Sequence, residues 1–205
     1  MCTEVDVSKW REWRDEMWDR LRRDFDVGYI DEDIVDVLEL IFSREHSFTI
    51  SSCSGRVTVL DGPMPWDRKE STIIFKKHKP VTTQEILNVI KQPTLYCLWL
   101  IVSGPIIHVV SDSMEEALNI LRIAREAGMK HSGILSISDK GIISELKTGI
   151  RVNVLLKVRN YVVIDLKEID KIVKVINDAL LEGKRRLMRL KEALEKDMKL
   201  RTGRQ

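Results

Sequence analysis

None of the ten glycines in this 205-residue chain falls in a GxG pair. Neither a dinucleotide fingerprint nor a P-loop can be drawn, and the common doubly wound cofactor fold is unsupported. HExxH and GxSxG are also absent, which removes the usual zinc-protease and serine-hydrolase signatures. Cysteine is scarce. Cys2, Cys53 and Cys97 are odd in number and form no CxxC, so neither a zinc site nor a disulfide framework is expected. No window holds the roughly 18 uncharged apolar residues of a membrane span. The N-terminus MCTEVDVSKWREW lacks a basic stretch followed by an apolar core. A reducing cytoplasmic setting is the expectation, with no membrane partner and no metal.

Charge is plentiful and uneven. Charged residues make up 32% of the chain, with a net charge of +2. Residues 1–40 hold 13 acidic side chains against 6 basic, and residues 182–205 hold 9 basic against 4 acidic. A basic tail suits a polyanionic partner, although a solvated helix face has the same composition.

Trp10, Trp13, Met17 and Leu21 recur at spacings of three and four, which predicts a helix over 9–23. Asp31-Glu32-Asp33 opens a second helix reaching Phe42, with its carboxylates suited to the helix N-terminus. After residue 46 the period changes from 3.6 to 2. Strands are expected over 48–50, 56–60, 71–75, 95–102, 105–110, 133–139, 141–148, 150–156 and 161–164. Asp139-Lys140-Gly141 turns a hairpin. Thr82-x-x-Glu85 and Ser113-x-x-Glu116 read as capping boxes opening helices. The last segment, 166–198, reads as one long helix. Ile169, Val173, Ile176, Leu180, Leu187, Leu190 and Leu194 form its seam, which predicts packing on another long helix, either the N-terminal one or that of a second subunit. The sum is one α+β domain with a mixed, largely antiparallel sheet, flanking helices over 9–42 and a long C-terminal helix. It is not a Rossmann-type or any other doubly wound fold.

The stretch FTISSCSGRVTV, residues 48–59, sets Ser51-Ser52-Cys53-Ser54-Gly55-Arg56 between two alternating runs. It reads as a strand–turn–strand corner, with hydroxyls and backbone N–H groups that suit an anion. Two histidines have informative settings. His108 lies inside the apolar PIIHVV and needs a polar partner there. His78 closes a strand in FKKHK, and Arg151 begins one after Thr148-Gly149.

SSCSGR after a short strand resembles the signature of the wybutosine-synthesis methyltransferase family, enzymes that methylate N4 of the tricyclic wyosine-type base of tRNA-Phe. The likeness continues in order. His78 stands where the family closes an apolar stretch with histidine. Gly104-Pro105-Ile106-Ile107-His108-Val109 is similar to the family's E-P-F-I-L-H-V. Ala127 to Ile134 is similar to S-G-F-R-N-S-G-I, and Gly149-Ile150-Arg151 to a later I-R element. These matches span about 47–155. Gly104 replaces a glutamate, apolar residues near Ile74 replace a tryptophan, and Lys130-His131 replaces Arg-Asn.

The resemblance implies S-adenosylmethionine as cofactor and the tRNA-Phe anticodon loop as partner. It carries over Ser52, Cys53, Ser54, Gly55, Arg56, His78, Pro105, His108, Ser132, Gly133 and Arg151. Ser52 to Gly55, with Ser132 and Gly133, would hold the cofactor. Arg56 would grip its carboxylate or an RNA phosphate in a forked contact. His78 or His108 would accept the N4 proton, because histidine titrates near neutrality. Arg151 and the helix residues Lys184, Arg185, Arg186 and Arg189 would meet RNA. Trp66 serves either as a base-stacking platform or as a loop anchor. The competing reading is a non-catalytic RNA-binding module.

Overall fold

The structure is a computed structural model and describes residues 4–202. Cys2 lies outside the described residues. In chain order the elements are α1 (Val7–Asp26), α2 (Val35–Phe42), β1 (Ser47–Cys53), β2 (Arg56–Gly62), β3 (Thr72–Lys77), α3 (Thr83–Ile90), β4 (Cys97–Ser103), β5 (Ile106–Ser111), α4 (Met114–Glu126), β6 (Gly133–Ser138), β7 (Gly141–Lys147), β8 (Arg151–Val158), β9 (Tyr161–Val162) and α5 (Ile169–Thr202). The expected α+β architecture with a long C-terminal helix is present. The strands form two sheets rather than one, ordered β1-β5-β7-β6 and β3-β2-β4-β8-β9. All their pairings are antiparallel.

The chain divides into two compact units. The first comprises the chain up to Ser54, Pro105–Gly149, and the chain from Lys184 onward. The second comprises Gly55–Gly104 and Ile150–Gly183.

In the first unit, Asp6 caps α1 by accepting from the backbone of Ser8 and Lys9. The predicted tryptophan stripe then packs inward. Trp10 and Trp13 each meet Phe48 edge-on at 5.3 Å, a geometry that the ring quadrupoles favour. A larger core joins Val37, Leu38 and Ile41 of α2, Ile107 and Val109 of β5, Ile120 and Leu121 of α4, and Leu187, Leu190 and Leu194 of α5. In the second unit, Val57, Val59, Leu98, Leu100 and Val102 of the sheet bury against α3 and against Ile169, Val173, Ile176 and Leu180 of α5. Lys157 is buried here with its ammonium on the carbonyls of Ile90 and Gln92, at 3.0 and 2.8 Å. A cation is well placed on the orphan carbonyls at the end of α3.

The corner expected around Ser51–Arg56 is present: β1 runs through Cys53, the chain turns at Ser54-Gly55, and β2 then enters a different sheet from β1. Three expectations need correcting. The seam of α5 is buried in the chain's own two cores, so it requires no second subunit. Asp31-Glu32-Asp33 leads into a short 3-10 turn over Glu32–Ile34, and the α-helix proper begins at Val35. The Ser113 cap forms, but only one half of its box closes: the Glu116 side chain is drawn into a buried ion-pair network with Arg44. Thr82-x-x-Glu85 closes both halves.

Candidate functional site

The candidate residues of the first unit gather at one end of its sheet. Cys53 faces Ile106 across β1–β5, and Ile106 faces Lys147 across β5–β7. One step inward, Ser51, His108, Glu145 and Gly133 stand opposite one another along successive strands. The ring of His108 is not orphaned. Its Nδ1 lies 2.6 Å from Ser51 Oγ, and its Nε2 lies 3.4 Å from Glu145 Oε1. Its side chain is 27% exposed, because the face of β5 that carries it is turned from the core.

Two of the proposed cofactor serines are already engaged. Ser54 is fully buried. Its Oγ donates to Asp31 Oδ2 at 2.7 Å and accepts from Lys184 Nζ at 2.6 Å. Ser132 is buried as well, donating to the Met129 carbonyl at 2.6 Å and accepting from the Lys147 backbone at 3.0 Å. Both hydroxyls brace turns. Ser52 is exposed and Cys53 half-buried. A Cβ built at Gly133 would meet nothing within 4 Å, so a small group can approach it.

The acidic run now has a local task. Asp31 holds Ser54, and Asp33 pairs with Lys184 at 2.5 Å. Lys184, read as an RNA contact, is only 17% exposed and has its charge matched inside the unit. Arg186 donates to the Gly128 carbonyl at 3.1 Å. Arg185 and Arg189 are exposed on α5.

In the second unit, Gly55 sits at φ +96°, in the region that favours glycine, and makes the corner possible. The His78 Nδ1 donates to its carbonyl at 3.1 Å. A carbonyl only accepts, so in the neutral ring the lone pair falls on Nε2. Across the same end of this sheet, Arg56 faces Ser103 on β4, and Ser103 faces Arg151 on β8. Residues in register share a face, so two guanidinium groups flank one hydroxyl. Arg151 also donates to Asn153 Oδ1 at 3.3 Å. Among the described residues, no hydrogen bond or ion pair engages the half-buried Arg56. This donor set fits an anion such as an amino-acid carboxylate. Trp66 is 72% exposed in the loop after β2, so it does not anchor that loop.

Glu145 and Ser103 escaped sequence reasoning, and Ser51 reads there only as one hydroxyl of the corner, not as a partner of His108. Their only signal is a polar residue in an alternating strand, and register with the histidine and arginines is what distinguishes them.

A family model described as Methyltransferase TYW3 matches residues 12–196, and the chain belongs to this family. Two relatives are named tRNA(Phe) 7-((3-amino-3-carboxypropyl)-4-demethylwyosine(37)-N(4))-methyltransferase. One, from Saccharolobus solfataricus, is 45% identical over 90% of this chain and 89% of its own. The other, numbered 1 in its species, is from Pyrococcus horikoshii and is 36% identical over 82% and 85%. A solved structure from Pyrococcus horikoshii superposes with a TM-score of 0.87 at 33% identity, covering 92% of this chain and 97% of that one. No helix among the described residues is long and apolar enough to cross a membrane.

Proposed function

We propose that the protein transfers a methyl group to N4 of a 4-demethylwyosine derivative at position 37 of tRNA-Phe, the reaction for which its relatives are named. The carrying observation is likeness along nearly the whole chain, 45% identity over 186 residues with the Saccharolobus enzyme. S-adenosylmethionine, when bound, supplies an electrophilic methyl group on a sulfonium centre. The chain's own residues position the reactants, which is where most of the rate of such a transfer originates.

Arg56 and Arg151 hold the cofactor carboxylate or an RNA phosphate, with Ser103 between them. In the first unit Ser52, Cys53 and Gly133 offer the cofactor small groups, with Ser54 and Ser132 as braces; in the second unit the Gly55 corner does the same. His78 or His108 accepts the N4 proton, each with one ring nitrogen oriented by a partner. Arg185, Arg186 and Arg189 meet phosphates of the anticodon arm, and Trp66 stacks on an unpaired base. A homodimer through α5 would have to use exposed outer residues such as Val175 and Met188, because the seam is occupied. The setting is cytoplasmic.

Arg56→Ala tests this reading. Turnover should fall roughly 100-fold, the scale of losing one preorganised charged contact, with an unchanged thermal melt. Near wild-type transfer would remove Arg56 from the site. Calorimetry adds the second arm: micromolar S-adenosylmethionine binding is expected, and its absence favours a non-catalytic RNA-binding module.

A further inference from the structure

A bulge in β1 decides which side chain meets His108. Thr49 stands opposite Val109, and the register then shifts, so Ser51 rather than Ile50 faces His108. Bulges re-aim side chains in this way and concentrate beside active sites. On its other flank, the β5–β7 register gives His108 Glu145. Exposure falls along the row. Ser51 is exposed, and the side chains of His108 and Glu145 are 27% and 19% exposed.

The chemistry of the partners orients the ring. An ionised carboxylate only accepts, so the proton of the neutral imidazole sits on Nε2, facing Glu145. Nδ1 keeps its lone pair and accepts from the Ser51 hydroxyl at 2.6 Å. Lys147 Nζ lies 3.5 Å from the other Glu145 oxygen and holds that side chain in place.

We propose that Ser51, His108 and Glu145 form a proton relay for methyl transfer, with Ser51 as its outward terminus and Glu145 as a positioning residue. The proposal rests on His108 as the proton acceptor. As N4 bonds to the methyl carbon, the carbon–sulfur pair returns to sulfur. The N4–H bond breaks and leaves its electron pair on nitrogen. That proton moves to Ser51 Oγ, while the hydroxyl's own proton moves to His108 Nδ1. Ser51 ends unchanged. His108 ends as an imidazolium, with Nδ1–H on Ser51 and Nε2–H on Glu145. A positioned base contributes about 10²–10⁴ in rate, whereas a decorative row on a sheet surface contributes nothing to kcat.

The test is single-turnover methyl transfer to demethylwyosine-containing tRNA by folded Ser51→Ala, His108→Ala and Glu145→Gln. Each should lose roughly 100-fold in kcat with KM little changed. The Ser51→Ala/His108→Ala double variant should be no slower than His108→Ala alone, as for residues acting as one unit. Ser51→Thr, which keeps a hydroxyl, should retain turnover. A second readout needs no cofactor: nitrogen NMR should find His108 protonated at Nε2, and Glu145→Gln should admit the other tautomer. Full turnover in His108→Ala overturns both the relay and His108 as acceptor. Loss in His108→Ala with full turnover in Ser51→Ala and Glu145→Gln overturns the relay alone. An Nδ1-protonated ring in the unmodified protein overturns it too.

Discussion

Arg44→Ala is expected to destabilise the protein by about 3–5 kcal/mol, the range for removing one partner of a buried ion pair. The Arg44 side chain is 1% exposed. It donates to Glu116 Oε1 at 2.7 Å and to Asp197 Oδ2 at 2.9 Å. Ser47 and Arg201 complete the shell of Glu116, at 3.0 and 2.8 Å. One guanidinium thus ties the turn after α2 to the first turn of α4 and the last turns of α5. Without it two largely buried carboxylates lose their innermost cation, and Arg201 and Arg122 reach them only from the exposed side. Urea denaturation measures the loss as a shift in midpoint. A shift equivalent to under about 1 kcal/mol would mean that the network is no stronger than a surface pair.

Acid titration gives the same network a signature. Burial pushes the Glu116 carboxyl up, but hydrogen bonds from Arg44 and Arg201 outweigh it and hold it below the usual range. Asp197 is likewise raised by burial and lowered further by Arg44. A folded-state value below the unfolded one gives stability that is present above the unfolded value and lost as pH falls through the folded one. Stability should therefore decline below about pH 4.5, where carboxylates begin to protonate. The decline should be shallower in Arg44→Ala, whose carboxylates have lost their main cation. Parallel curves for the two proteins would show that Arg44 does not set the acid limb.

Much of the fold is legible where one element declares itself. The seam of α5 is written in its spacing, and all seven of its predicted residues are buried. The β6–β7 hairpin follows from Asp139-Lys140-Gly141. Gly141 sits at φ +134°, where a Cβ would lie 2.6 Å from Val110 Cγ1. What stayed illegible is non-local pairing. A short polar gap between two alternating runs is the pattern of a hairpin, yet Cys53 pairs with Ile106 and Arg56 with Ser103, far along the chain. The candidate site divides on the same line. The family resemblance picks out His108 and Arg56 because both stand in stretches that look like the family's motifs. Their neighbours Ser51, Glu145 and Ser103 depend on register, and in β1 on a bulge that no local pattern announces. Glu116 shows the converse: its spacing from Ser113 fits a capping box, and a buried arginine from another element claims the carboxylate instead.

Ser54→Ala should separate support from chemistry at the corner. Ser54 accepts from an ammonium and donates to a carboxylate, both within hydrogen-bond distance, and its backbone N–H also points to that carboxylate at 3.3 Å. Hydrogen bonds to charged groups are worth about 1.5–3 kcal/mol each. Lys184 keeps Asp33, and Asp31 keeps the backbone donor, so the combined loss is about 2–3 kcal/mol rather than the full sum. The exposed Ser52 has no such duty. Ser52→Ala should leave stability within about 0.5 kcal/mol while weakening S-adenosylmethionine binding. Below the melting range, Ser54→Ala should bind the cofactor with near-normal affinity, because its hydroxyl faces the brace and not the ligand. Urea midpoints and calorimetric affinities for the two variants decide the matter together. If Ser54→Ala keeps its midpoint and loses the cofactor, Ser54 is a ligand contact, and the Asp31–Ser54–Lys184 chain must rearrange when the cofactor binds.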